Sequence, residues 1–317
     1  MEPIVDSTTA EFAHHFTVSS SSNSVDNATF LCSEDSEEGF IDLVYAWAPG
    51  EAGFALPNNV GLPYGPGEAQ SFMLEIHYNN PNLISGAIDN SGVRFYYTEE
   101  PREHAMGILQ LGDPFVALYD TPVGEGISEH TFECQGGCSA LALDEPVTVL
   151  REYINMHATG TRMTNQQRRM GEIVHNGIAD MFDFNQQGSQ PVQQSPFQIR
   201  PGDAFTTRCT YNGKSDTVFG LSSQQEMCIA FLFYFPRQTL FGQFPWICAY
   251  GLGENLPQCD TQQTVRQLDG AGRAFGIAPP EGTCREISDE AQPSTAHALA
   301  WLHIPWIGVL NTLLASV

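Results

Sequence analysis

The chain has 317 residues, 42% of them apolar, enough to bury two ordinary cores. It carries 37 Asp plus Glu against 13 Lys plus Arg, a net charge of −24. A surface this acidic excludes nucleic acid as a partner and docking on an anionic membrane, since both need a basic face.

Met1 runs straight into the strand-like Pro3-Ile4-Val5, without the charged start or apolar core of a leader peptide, so a mature or truncated product is expected. Strand signals then dominate. Ser71 to Tyr78 alternates and stops at the turn Asn79-Asn80-Pro81. Val93 to Thr98 follows Asn90-Ser91-Gly92, and Ala204 to Tyr211 follows Pro201-Gly202-Asp203. Cys228 to Phe235 is aromatic and ends at Pro236. Arg162, Arg168 and Arg169 read as a solvated turn, and residues 186–198 as an exposed Gln/Ser/Pro loop. Short strands between Gly, Pro and Asn turns predict an all-β chain of two β-sandwiches. The boundary falls near 102–112, giving domains at 1–105 and 106–255 and an extension at 256–317. The tail from Ala296 to Val317 is apolar, but His297, His303, Pro305 and Asn311 interrupt it. It reads as a short packed helix or an oligomer contact rather than a membrane span.

Eight cysteines, few lysines and long polar loops point to a secreted, oxidised protein, and the sequon Asn27-Ala28-Thr29 fits that compartment. Cys134 and Cys138 have the spacing of a zinc pair, but no second short-spaced pair follows, so disulfides are expected.

The residues that carry chemistry are His14-His15, His77, His157 and Met227. Imidazole serves Cu(II) and a thioether favours Cu(I), so this set suits copper that cycles between the two states. Neighbours on a regular strand point to opposite faces, so a bend must aim His14 and His15 together.

These residues sit in recognisable surroundings. Glu2-Pro3-Ile4-Val5, His14-His15, Ala46-Trp47-Ala48-Pro49-Gly50, Leu74 to Pro81, Gly107 to Gly112, His157-Ala158-Thr159-Gly160, Cys209-Thr210-Tyr211-Asn212 and Glu226-Met227-Cys228 fall in the order seen in one family. Over roughly residues 1–250 the chain resembles the copper type II, ascorbate-dependent monooxygenases, on the side of the dopamine β-monooxygenase branch. The resemblance implies two jelly-roll-like antiparallel sandwiches in tandem, each with one copper, and ascorbate as reductant. It implies an electron-transfer copper on His14, His15 and His77. The oxygen-activating copper would take His157 and Met227, but the family's first histidine of a His-x-His pair is Asn155 here. His175 and Met156 are the substitutes the sequence offers.

The resemblance also bears on substrate. Positions that hold a peptide carboxylate in the amidating enzymes are Tyr153, Ile229 and Phe231 here, and the acidic position linked to an amine is Gln110. An uncharged small-molecule substrate is therefore expected, with Tyr234 matching a family tyrosine near the reaction. The family pattern further implies Cys209–Cys228 and Cys134–Cys248 bridges, with Cys138 taking Cys259 or Cys284 and Cys32 left without an obvious partner. It also implies that the chain starts inside the first domain, so that oligomer contacts form there or through the apolar tail. An enzyme is one reading; an inactive descendant serving as an assembly module of an extracellular polymer or surface appendage is a second, and a one-copper binding or storage protein using His14, His15 and His77 is a third.

Overall fold

The computed structural model describes residues 1–21, 29–32, 43–51, 53–80, 82–113, 122–184, 190–191, 196–214, 216–220, 225–238, 246–248, 284–286 and 299–305. The chain divides into two compact units, the first made of residues 1–103 and 277–317 and the second of 104–276.

The first unit holds β1 (Glu2–Ile4), β2 (Ala13–Ser21), β3 (Thr29–Cys32), β4 (Leu43–Trp47), β5 (Val60–Gly61), β6 (Ser71–Tyr78) and β7 (Gly92–Arg94). The second holds β8 (His104–Ala105), β9 (Gly107–Gly112), β10 (Gly126–Cys134), α1 (Gly136–Ala142), β11 (Val147–Asn155), β12 (Gly160–Arg169), β13 (Glu172–Ala179), β14 (Gln190–Pro191), β15 (Phe197–Ile199), β16 (Ala204–Gly213), β17 (Ile229–Phe235) and β18 (Trp246–Cys248). β19 (Cys284–Glu286) and β20 (Leu299–Pro305) belong to the first unit again.

In the first unit a six-stranded antiparallel sheet runs β19-β3-β20-β6-β2-β4. Its core is Phe16, Val18, Tyr45, Leu74 and Ile76, all buried, with the Phe16 and Trp47 rings 4.5 Å apart. The small pair β1-β7 continues into Phe95, whose ring lies 5.3 Å from Phe72 of β6. The stretch Leu299–Pro305, expected as helix, is strand β20. It pairs with β3 on one side and β6 on the other, so both rows of its backbone groups are satisfied. That gain outweighs local preference in a short segment ended by Pro305.

The second unit is a sandwich. One sheet runs β14-β11-β17-β9-β18, with β15 also on β11; the other runs β10-β16-β12-β13. Strand β16 shows the patterning clearly: Phe205, Thr207, Cys209 and Tyr211 are buried, while Arg208 and Asn212 on the alternate face are exposed. A polar link crosses the layers. Asn165 of β12 donates to Glu152 of β11 at 2.9 Å and accepts from Thr207 of β16 at 2.9 Å. The arginines expected in a solvated turn lie on β12, whose inward positions are Met163, Asn165 and Gln167. Polar and charged residues at both faces hid that strand from periodicity. Arg169 is held by Asp203 at 2.8 Å. Residues 190–191, within the expected Gln/Ser/Pro loop, and 197–199, at its end, add short strands to β11.

Candidate metal centres

The first centre sits on β2 and β6. His15 pairs with His77, whereas Ala13 pairs with Tyr78, so His14 is an extra residue on β2. This β-bulge is the bend that lets adjacent histidines share a face. The three rings form a cluster with centroids 4.7 to 5.4 Å apart. One ligand nitrogen from each lies within 4.8 Å of the others, and His14 and His77 are buried. His14 Nδ1 and His15 Nδ1 approach to 2.9 Å. Two lone pairs that close repel, so a proton or a cation must lie between them.

Both strand ends are tied down. Asn79 N donates to Phe12 O at 2.8 Å, and buried Asp89 accepts from the hydroxyls of Thr9, Tyr78 and Ser91. Two residues before His77, on its face of β6, Glu75 accepts from Thr17 at 3.1 Å. Burial pushes the Glu75 carboxyl up to about 7, and the Thr17 hydrogen bond opposes that shift. The donor set is three imidazoles converging on one point, and it fits copper.

The second centre lies where β11 ends and β17 begins. Asn155 closes β11, and its Nδ2 donates to Met227 Sδ at 2.8 Å. His157 Nδ1 lies 2.8 Å from Gln225 O. A carbonyl only accepts, so Nδ1 carries the proton and Nε2 the lone pair that a metal needs.

Glu226 is the organiser that sequence reasoning missed. Its buried carboxylate accepts from His157 N at 2.8 Å, Thr159 N at 2.5 Å and Thr159 Oγ1 at 2.8 Å. Because it precedes Met227 directly, it clamps the His157 turn beside the thioether. Burial raises its pKa, while the hydrogen bonds from Thr159 and His157 pull the other way. The sequence does hold a signal for it: an acidic residue directly before the expected ligand methionine and an aromatic strand must find donors when buried.

Gly112 closes the other side of this centre. It has φ +95, and a Cβ there would lie 2.0 Å from Cys228 O, so only glycine fits. Tyr211 donates to Met227 O at 2.9 Å, and the Cys209–Cys228 disulfide joins the same two segments. As donors, His157 and Met227 suit copper, and the third corner falls to an amide that turns an N–H toward the sulfur. The second set thus fits copper in part.

Other expected residues are placed apart from these. Tyr234 alternates to the opposite face of β17 from Phe231 and Ile229; it is buried, and its hydroxyl accepts from Gln238 N at 3.4 Å. The structure does not bring it to His157 and Met227. His175 stacks on Phe197 with centroids 3.6 Å apart and lies 3.6 Å from Glu152, which projects from the face of β11 opposite Asn155. It is no substitute ligand in this arrangement. Met156 is buried against Gly160. Beside Asn155, a row across the sheet sets Gln110, Phe231 and Tyr153 opposite one another, all buried. Cys134 is disulfide-bonded; the side chains of Cys248, its expected partner, and of Cys138 lie outside what is described, as does Cys259 altogether. Among the described residues no helix is long and apolar enough to cross a membrane.

The chain thus holds two β units, one bearing a cluster of three histidines and the other a His157 turn that Glu226 holds beside Met227. Residues 1–85 match the N-terminal domain, and residues 104–242 the C-terminal domain, of the copper type II ascorbate-dependent monooxygenases. The chain belongs to that family, whose members depend on copper and ascorbate. It is 33% identical over 254 residues to dopamine beta-hydroxylase of Canis lupus familiaris, covering 75% of this chain and 40% of that protein. It is 31% identical over 261 residues to human DBH-like monooxygenase protein 1, covering 76% and 42%. Tyramine beta-hydroxylase of Caenorhabditis briggsae is 28% identical over 250 residues, covering 76% and 42%. The chain thus spans about two fifths of the length of these relatives.

Proposed function

We propose that this chain is a copper-dependent monooxygenase that takes two electrons from ascorbate and places one atom of dioxygen into a C–H bond of an uncharged substrate, the other atom leaving as water. The reading is carried by the convergence of His14, His15 and His77 on one point. Copper, when bound, supplies the one-electron redox chemistry and the activation of dioxygen. The chain's own residues do the holding. His14, His15 and His77 would receive the electron-transfer ion. His157 and Met227 would receive the second, steadied by Glu226.

The row of Gln110, Phe231 and Tyr153 offers aromatic surface and a neutral amide next to Asn155, so an uncharged group is the favoured occupant there. Arg151 stands four residues from Asn155 along β11, about 13 Å away at strand rise. The Cys209–Cys228 disulfide supports a secreted or secretory-lumen location.

The Asn155–Met227 hydrogen bond favours a second reading, a non-catalytic descendant used in extracellular assembly. Elemental analysis after copper reconstitution separates the two, run on wild type and Asn155→His alongside oxygen uptake with ascorbate. Two coppers per wild-type chain and substrate-dependent uptake support the enzyme. One copper in wild type, rising to two in Asn155→His, with no uptake by wild type, overturns it.

A further inference from the structure

We propose that the outer edge of β13 is a dimerisation surface, on which a second copy of the chain adds its own β13 antiparallel about a two-fold axis. Among the described residues β13 pairs with β12 alone, so it ends the sheet β10-β16-β12-β13 with a row of backbone groups turned outward. Such an edge is a template for another strand, and edges that stay single are blunted by charge. The opposite edge is blunted in that way, since β10 leaves Glu129 and Glu133 exposed. β13 is apolar instead. Ile173, Val174 and Ile178 are 42% to 48% exposed, and Met170 and Met181 at its two ends are 99% and 92% exposed. An exposed apolar stripe of this kind marks a contact surface.

Register favours a second copy as the occupant. On a regular strand, residues five apart point to opposite faces. The irregularity beside Gln167 and Arg168 leaves Val174 as an extra residue, so Ile173 and Ile178 oppose Arg168 and Thr164, which lie four apart on one face of β12. Both isoleucines therefore share the outer face. A two-fold pairing can set Ile173 across from the copy's Ile178. Counting outward from that pair, Met170 meets Met181 and Glu172 meets Ala179, so apolar meets apolar and no acid meets an acid.

Charge points the same way. A chain at −24 repels its own copy over most of its surface. The hairpin over residues 160–181 carries Arg162, Arg168 and Arg169 against Glu172 and Asp180, and Arg162 holds Asp180 at 2.8 Å. Two copies can approach there without that repulsion.

The hairpin tip adds a third observation. Arg169 pairs with Glu172, so Met170 and Gly171 form a two-residue turn, both left-handed at φ +51 and +89. Such a turn favours Asn-Gly. A methionine there goes against local preference, and its flexible thioether suits a contact beyond its own hairpin. None of these residues is a proposed copper ligand, so the dimer forms with or without copper.

The test is sedimentation velocity on the full chain across about two decades of micromolar concentration, with hydrogen exchange at both ends of that range. The expected result is a monomer that becomes a dimer. Outward amides of residues 172–179 should exchange freely in the monomer and at least about ten-fold more slowly in the dimer. Ile173→Lys and Ile178→Lys, both at exposed positions, should keep the wild-type urea midpoint and weaken association at least about ten-fold. Ile127→Lys, exposed on the other edge strand, should leave association unchanged. A wild-type chain that stays monomeric, a dimer that survives both lysine variants, or protection that arises only outside residues 172–179 overturns the proposal. Outward amides already protected in the monomer overturn it too, since another part of the chain then covers the edge.

Discussion

At the scale of single residues, Glu226 and Asn155 have opposite effects at the second centre. Glu226 builds the site by pinning His157 and Thr159, while Asn155 places an N–H where a donor lone pair is wanted. Glu226→Gln keeps the shape but loses charge and turns an NH2 toward one of its donors. Unfolding in urea should show a loss of about 1–3 kcal/mol, the usual cost of an unsatisfied buried group. An unchanged midpoint would remove Glu226 from its role as clamp.

Asp6 offers a pH prediction. Hydrogen bonds from Thr8, first of all its hydroxyl, and from Asn90 hold its carboxyl down at about 2. A depressed carboxylate contributes stability above its unfolded value of about 3.9, and that contribution is lost as pH falls toward the folded value. Asp6→Asn should therefore flatten the stability profile between roughly pH 4 and 2. The check is a series of thermal melts over that range, with no difference expected at neutral pH beyond the lost hydrogen bonds.

At the scale of elements, the convergence of the three proposed copper ligands depends on one irregularity in β2. The bulge at His14 was required by the adjacency of two histidines, but its register was not legible before the pairing with β6 was known. Strands with clean alternation were legible: Ser71–Tyr78 and Ala204–Gly213 form almost as expected. β12 and β20 were not, because polar inward residues and an apolar run each break the period-two pattern. Alternation reports burial on one face only, and partner strands decide the rest. β2 also anchors the core under the site. Phe16 has no exposed surface and packs on Trp47, so Phe16→Ala should cost about 3–5 kcal/mol in denaturant unfolding. Copper uptake by the surviving folded fraction should fall with it, since Phe16 lies next to His15 on the same strand.

At the scale of the whole molecule, net charge outweighs any single ion pair. A charge of −24 on 317 residues makes like charges repel in the compact state. Raising salt from about 0.01 to 0.1 M shortens the Debye length from about 30 to about 10 Å, which screens that repulsion. The melting temperature should rise by a few degrees over this range in calorimetry, and a fall would mean that attractive ion pairs such as Arg169–Asp203 matter more than the net charge.

By itself the sequence determined the all-β class and the dependence on copper, because donor type and alternation are local properties of residues. Tertiary structure alone decided which donors meet. It put Tyr234 on the far face of its strand and His175 behind β11, and set Glu226 over the His157 turn. It also set Cys284 opposite Cys32, from the far end of the chain. The reason is physical: strand register and layer packing join residues that no spacing along the chain relates, and a shift of one residue would turn each side chain to the other face.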